Sequence, residues 1–365
     1  MKLENKDNTI LKTSLYDQHV NLNAKMVDFA NYLMPINYDK GIKYEYERVR
    51  GDVGIFDVSH MGIFKICGVS AAMYLDRVLS NDISSLNHGE AIYTLLCNDK
   101  GGVIDDLIAY RIKDEYILIV NASNKTKDFD WLCNHKDDNV QINDISDSTS
   151  LLAVQGPNSR DKLQEIFNLQ LSDLNFYQCK EIQINNESFF IARTGYTGEL
   201  GFEILGKSEA INSIWDLMIN SNISPAGLAV RDVLRIEMGY CLYGHEISEN
   251  INPLDASLNW IIKKDRDFIG SNFIFNKLTQ NNKLIFIKML DRGIPREGFE
   301  LFQGNQKIGE ITSGTFSYNL GKGVGIASIN KDIDNYSDIT IDIRGKKYKV
   351  LGSNRSFLNN RSLRK

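Results

Sequence analysis

The chain has 365 residues, 42% of them apolar and 24% charged, with a formal net charge of −5. That length allows two or three packed cores, and the charge balance excludes the basic footprint of a nucleic-acid-binding protein. No apolar run nears the roughly 20 residues that span a bilayer. The N-terminal residues Met1–Asn8 carry early acids and no apolar stretch, so neither a secretory signal nor a transit peptide is expected. Cys67, Cys97, Cys133, Cys179 and Cys241 are odd in number, scattered, and form no Cys-x-x-Cys pair. That usage suits reduced thiols in a cytoplasmic protein. The five histidines are equally dispersed, so no metal is expected.

In chain order, residues 1 to about 11 read as a polar leader, and Lys25–Phe29 as a short strand. Tyr38–Arg50 is an amphipathic helix ending at Gly51, and Val53–Ile66 a strand, a tight glycine turn and a second strand. Ser70–Leu79 has helical spacing, with Met73, Leu75 and Val78 inward. Asn124–Asn134 is a helix burying Phe129, Leu132 and Cys133. Leu151–Gln155 is a buried strand that breaks into a helix at Gly156-Pro157. Phe189–Ile204 is two strands around a glycine-rich corner, where three glycines allow unusual backbone angles and close approach of a ligand. Helices follow at Glu209–Ile219 and at 226–239. Composition shifts near residue 280, and from there short strands punctuated by glycine predict a small antiparallel barrel.

The stretch Ala91–Val120 is the one around which the rest is organised. Two apolar runs flank Lys100–Tyr110, and Asn98–Gly102 is turn chemistry, so a three-stranded meander is predicted. Alternation puts Asp105, Leu107 and Ala109 on one face and Asp106, Ile108 and Tyr110 on the other. Both faces are largely apolar, so at least one aspartate points into a low-dielectric space. There it is paired with a cation, hydrogen-bonded by amides, or kept for chemistry. A structural aspartate closing the turn explains the residues equally well. Glu199 among the corner glycines and Arg231 on its helix are further candidates, for a guanidine-like edge and a carboxylate respectively. His60 lacks an orienting partner in sequence and reads as a turn or core histidine.

Together these segments resemble the glycine cleavage T-protein family. The resemblance runs from about Thr13 to the C-terminus, through Ser14–His19, Ala24–Ala30, Phe56–Gly62, Tyr93–Asn98, Gly101–Leu107, Arg193–Glu199, Ala229–Asp232, Cys241–Gly244 and Ile311–Ser317. It implies an α+β fold, a three-lobed cloverleaf around a central folate cavity. A folate-binding region of two interleaved lobes would span residues 12–280, one lobe centred on about 52–137, with a β-barrel domain over 281–365. It also implies a tetrahydrofolate-dependent aminomethyltransferase. The one-carbon unit would come from an aminomethyl group on the lipoyl arm of the H protein, ammonia would leave, and 5,10-methylenetetrahydrofolate would form.

By this resemblance Asp106, ionised, is the catalytic acid–base group and Glu199 binds the pterin. Arg231 lies near the p-aminobenzoate–glutamate part, Met61, Tyr93 and Tyr110 wall the cavity, and Arg361 contributes a tail contact. A monomer or weak dimer is expected. Leu200 stands where the family commonly has an acid, and His245-Glu246 where Asn-Asp is frequent. Two other functions share the fold. One is a folate-dependent demethylase, disfavoured by the retained Asp105-Asp106 and Gly195–Glu199 motifs. The other is a non-catalytic folate protein supporting iron–sulfur enzymes, whose Cys-x-x-Gly-x-Glu frame recurs at Cys241–Glu246 without its Lys-Gly pair and Gln.

Overall fold

The computed structural model describes residues 10–275, 280–358 and 361–364. One lobe is built on a six-stranded sheet, in the order Cys179–Ile184, Glu187–Ala192, Gly201–Lys207, Thr149–Gln155, Gly54–Asp57 and Ser224–Pro225. Neighbours are antiparallel except the last pair. Continuous apolar runs such as Leu151–Val154 suit a sheet covered on both faces. On one face Leu152, Val154, Phe202 and Ile204 meet Trp215 of helix Ser208–Asn220. Trp215 is fully buried; truncating such a side chain to alanine costs roughly 3–5 kcal/mol. On the other face Leu151, Ala153 and Phe56 meet Val230 and Leu234 of helix Leu228–Met238.

The second lobe is a five-stranded antiparallel sheet, ordered Ala91–Cys97, Val103–Ile112, Glu115–Val120, Gly62–Cys67 and Gln141–Asp144. Its outer face buries Leu107, Ala109, Leu118 and Phe64 beneath helix Ala71–Val78. Its inner face carries Tyr110, Ile117, Ile119 and Ile63 into the core that it shares with the six-stranded sheet. The alternation predicted for Asp105 to Tyr110 is therefore observed. Six antiparallel strands form a closed barrel: Asn282–Met289, Lys322–Asn330, Gln306–Ser317, Glu300–Gln303, Ile339–Ile343 and Lys346–Ser353, the last pairing back to the first. Every second residue, as Ile285, Ile287 and Met289, points into its core. A small sheet of Leu11–Lys12, Tyr32–Asn37 and Lys25–Phe29 completes the fold. No helix among the described residues is long and apolar enough to cross a membrane.

Several local expectations change. The two strands expected over 53–66 form, as Gly54–Asp57 and Gly62–Cys67, but in different sheets, so the turn between them crosses lobes. Met73 is 72% exposed; the buried stripe of its helix is Ala71, Tyr74, Leu75 and Val78, the spacing a 3.6-residue period selects. Helix Ser159–Phe167 starts after its cap residue Asn158, which places Pro157 just outside it. Cys133 is only half-buried, whereas Asp128 of the same helix is fully buried. Of the leader, residues 1–9 lie outside the described residues, and Leu11–Lys12 is a strand parallel to Tyr32–Leu33. All five cysteines are free thiols.

Candidate active site

Asp106 sits mid-strand on the inner face of the five-stranded sheet, half-buried. Tyr93 pairs with Ile108 in the neighbouring strand, so it shares that face and stands diagonal to Asp106. Its hydroxyl donates to Asp106 Oδ2 at 2.8 Å, and its ring stacks on Trp260 with centroids 5.9 Å apart. Asn121, the first residue after strand Glu115–Val120, donates its Nδ2 to Asp106 Oδ1 at 2.8 Å. Burial and then the adjacent Asp105 push the Asp106 carboxyl up to about 7, against the pull of these two donors. The expectation of an ionised Asp106 changes accordingly: burial and Asp105 push its carboxyl toward the neutral range.

Tyr196 of the glycine corner is buried, and burial, with Asp106 adding to it, raises its phenol. Tyr196 stacks on Tyr240 at 5.5 Å and donates its hydroxyl to the Cys241 carbonyl. The Arg231 guanidinium lies over the Tyr196 ring at 4.7 Å. Its neighbour Asp232 pairs with Arg235 at 2.9 Å, but Arg231 Nη1 is buried with no hydrogen-bond partner among the described residues. Burial lowers the Arg231 guanidinium, with Tyr196 and Glu203 opposing. Glu203 accepts from Thr194 Oγ1 and from Tyr110 Oη, the latter at 3.1 Å, both on Oε2. Tyr110 returns the circuit to the strand of Asp106, and Met61 packs half-buried against the same core. His60 is buried edge-on to Phe29 at 5.6 Å. Burial, with Arg231 nearby, pushes its imidazole down to about 4, so it is neutral at ordinary pH.

Glu199 and Arg361 do not join this circuit. Glu199 Oε1 accepts from Arg50 Nη1 at 2.9 Å, and its Oε2 accepts from the Ser362 backbone N–H at 3.1 Å and the Ser362 hydroxyl. Arg361 Nε stands 3.7 Å from Glu199 Oε1. The Glu199 carboxylate is thus saturated by internal donors and ties down the C-terminal tail. The reading of the glycine corner changes with it. A Cβ on Gly195 or Gly201 would lie 2.1 Å or 2.2 Å from the Gln155 amide. That buried amide donates to the Thr194 carbonyl at 3.1 Å and accepts from Thr197 Oγ1 at 2.8 Å. What approaches closely is a side chain of this protein. Glu203, four residues on, is the acid beside Tyr110. Strand parity carried a signal for it, since Glu203 pairs with Ala153, whose face holds the inner core.

Of the two departures from the family pattern, neither bonds Asp106, and Glu246 pairs with Arg235 at 3.0 Å. Leu200 is buried in the outer core of the six-stranded sheet, and His245 Nδ1 lies 3.1 Å from the Thr312 carbonyl of the barrel.

Comparison with known proteins agrees with this architecture. The family described as GCVT N-terminal domain matches residues 15–266, and the Glycine cleavage T-protein C-terminal barrel domain matches residues 282–358. An aminomethyltransferase from Chloroherpeton thalassium is 43% identical over 344 residues, covering 92% of this chain and 95% of that protein. One from Thermotoga sp. (strain RQ2) is 41% identical over 329 residues, covering 88% and 90%. The crystal structure of glycine cleavage system aminomethyltransferase T from Bartonella henselae superimposes with a TM-score of 0.90 at 30% identity, covering 96% of this chain and 99% of that one. The chain belongs to the glycine cleavage T-protein family and is an aminomethyltransferase.

Proposed function

We propose that the enzyme takes the one-carbon unit of an aminomethyl group, carried on sulfur by the lipoyl arm of the H protein, and transfers it to tetrahydrofolate. Ammonia leaves, the carbon–sulfur bond breaks to return the dihydrolipoyl thiol on the H protein, and 5,10-methylenetetrahydrofolate forms. The observation that carries this reading is Asp106: a carboxyl on the sheet face that also carries Ile108, Tyr110 and Ile119, oriented by Tyr93 and Asn121. Family membership supports the H protein as partner and the folate as co-substrate.

The residues present fit a reduced folate. Glu203 Oε1 takes no hydrogen bond among the described residues, while Oε2 is held by Thr194 and Tyr110. A carboxylate so fixed suits the guanidine-like edge of a pterin. Arg231, with its buried unpartnered Nη1, suits the carboxylate of the p-aminobenzoate–glutamate part. Tyr93, Tyr110 and Met61 supply wall. Glu203 takes the role that the sequence resemblance assigned to Glu199.

The folate, when bound, supplies the nucleophilic amine. Asp106, once ionised, accepts the proton that the reacting amine sheds, on a lone pair left over by Tyr93 at Oδ2 and Asn121 at Oδ1. Positioned proton transfer of this kind contributes typically ~10²–10⁴-fold, and holding two reactants in register contributes several kcal/mol more. The test is ammonia release from aminomethylated H protein with tetrahydrofolate. Turnover supports the reading. Silence there, together with methyl transfer from another donor, would replace it with a demethylase.

A further inference from the structure

Behind Asp106 lies a second, fully buried acid pair. Asp105 accepts four hydrogen bonds or equivalents: the Asn121 backbone N–H at 2.9 Å, Asn121 Nδ2 at 2.9 Å, Asn124 Nδ2 at 2.6 Å, and the carboxyl of Asp128. Asp128, on helix Lys125–His135, is fully buried, and among the described residues no N–H or O–H reaches either of its oxygens. Two carboxylates touching in a dry site cannot both be charged. One proton therefore stays on the pair. Burial raises both carboxyls, but the amide donors converge on Asp105 and pull it back. Burial and then Asp105 push the Asp128 carboxyl far up, so the proton rests on Asp128 and the charge on Asp105. Asn121 Nδ2 also reaches Asp106 Oδ1 at 2.8 Å and the Asp106 carbonyl at 3.2 Å. One amide thus joins the buried pair to the site.

We propose that Asn121 is a positioning residue that locks the Asp106 carboxyl in place and couples it to a proton-sharing Asp105–Asp128 pair, whose single negative charge keeps Asp106 basic. This rests on the role given to Asp106 above. The other titratable groups around Asp106 are uncharged near neutrality. Burial raises the phenols of Tyr93 and Tyr196 and the thiol of Cys241. Lys127, beside Asp128, is turned to Glu249 and Tyr243 at 2.9 Å and 2.7 Å. Asp105 is left as the negative charge that Asp106 feels.

The two couplings act in opposite directions. Removing the Asp105 charge makes Asp106 easier to ionise. Removing the Asn121 donor makes it harder. In the full-length enzyme, Asp105→Asn is expected to move the acid limb of the kcat–pH profile down by about one unit, and Asn121→Ser to move it up by a similar amount. Asp128→Asn keeps a neutral donor at Asp105 and leaves the limb in place. Asn121→Ser also lowers kcat roughly 10–100-fold with little change in KM for tetrahydrofolate. The same directions are read without activity by NMR titration of ¹³C-labelled aspartate, assigned by loss of the Asp106 signal in Asp106→Asn. Shifts of equal sign, or none, would overturn the coupling even where wild-type turnover upholds the proposed reaction. If Asp105→Asn fails to fold, the Asn121→Ser and Asp128→Asn titrations decide it alone. An inactive wild type with opposite NMR shifts would retain the coupling and reject the reaction.

Discussion

Arg50 Nη1 and Glu199 Oε1 meet at 2.9 Å, and the same guanidinium reaches Glu237 with Nη2 at 2.7 Å. Glu237 in turn accepts from Tyr46 and from Ser317 of the barrel. A single buried arginine thus joins the glycine corner, the helix Leu228–Met238 and the barrel. Charged side chains this deep persist only when paired. This network gives Glu199 a structural role and leaves Glu203 as the open acid of the pair.

The two glutamates should therefore separate in experiment. Glu203→Gln is expected to raise KM for tetrahydrofolate roughly 10–100-fold at nearly unchanged stability, the size of one charged hydrogen bond. Glu199→Gln should leave KM alone and lower stability by roughly 1–3 kcal/mol through Arg50. Steady-state kinetics beside urea unfolding checks both. A KM effect confined to Glu199→Gln would restore the sequence-based assignment.

Asp106→Asn preserves shape and both neighbouring donors while removing the base. It is expected to fold and bind tetrahydrofolate like the wild type and to lose ~10²–10⁴-fold in kcat. In the wild type, kcat should fall below pH about 7 as the carboxyl takes up its proton. Near-normal turnover in the variant would take Asp106 out of the reaction.

Gly201→Ala should be among the most damaging small substitutions, because its Cβ would enter the Gln155 amide at 2.2 Å. A loss of roughly 2–4 kcal/mol is expected from such overpacking. Pairing it with Gln155→Ala should recover part of that loss, since the two changes share one space. Additive losses in a double-mutant cycle would show that the glycine answers to something else.

Asp57 supplies an acid-stability test. Burial alone would raise its carboxyl, but His19 at 2.9 Å, the Ser59 N–H and Thr13 outweigh it and hold it at about 2, against 3.8 for the free group. The folded-state value is depressed, so the stabilisation is fully present above pH 3.8 and disappears as pH falls through about 2. It is worth about 2 kcal/mol. Unfolding free energies measured between pH 2 and 6 should show this slope, and Asp57→Asn should flatten it.

Local chemistry was sufficient for most of the fold. A two-residue period carried the meander, and placed Asp106, Ile108 and Tyr110 together, because a pleated strand leaves no other option. Helical spacing located Gly41–Gly51, Ser208–Asn220 and Leu228–Met238 to within a few residues. Glycine punctuation was enough to count the six barrel strands. Met73 escaped this logic, since an apolar residue beside a helical stripe is buried only if a neighbour arrives to cover it.

Pairing between distant residues was decided only by the tertiary structure. Gly195–Gly201 reads as room for a ligand until Gln155 is seen filling it. Glu199 and Glu203 differ by four residues and share one chemistry; what distinguishes them is that Arg50 and Ser362 reach the first. Asp128 gives no sign of burial in a polar helix, because its partner Asp105 lies on another element. Periodicity reports which side of a strand or helix a residue faces. What waits on that side is set by chain folding over separations of tens to hundreds of residues, where no local pattern reaches.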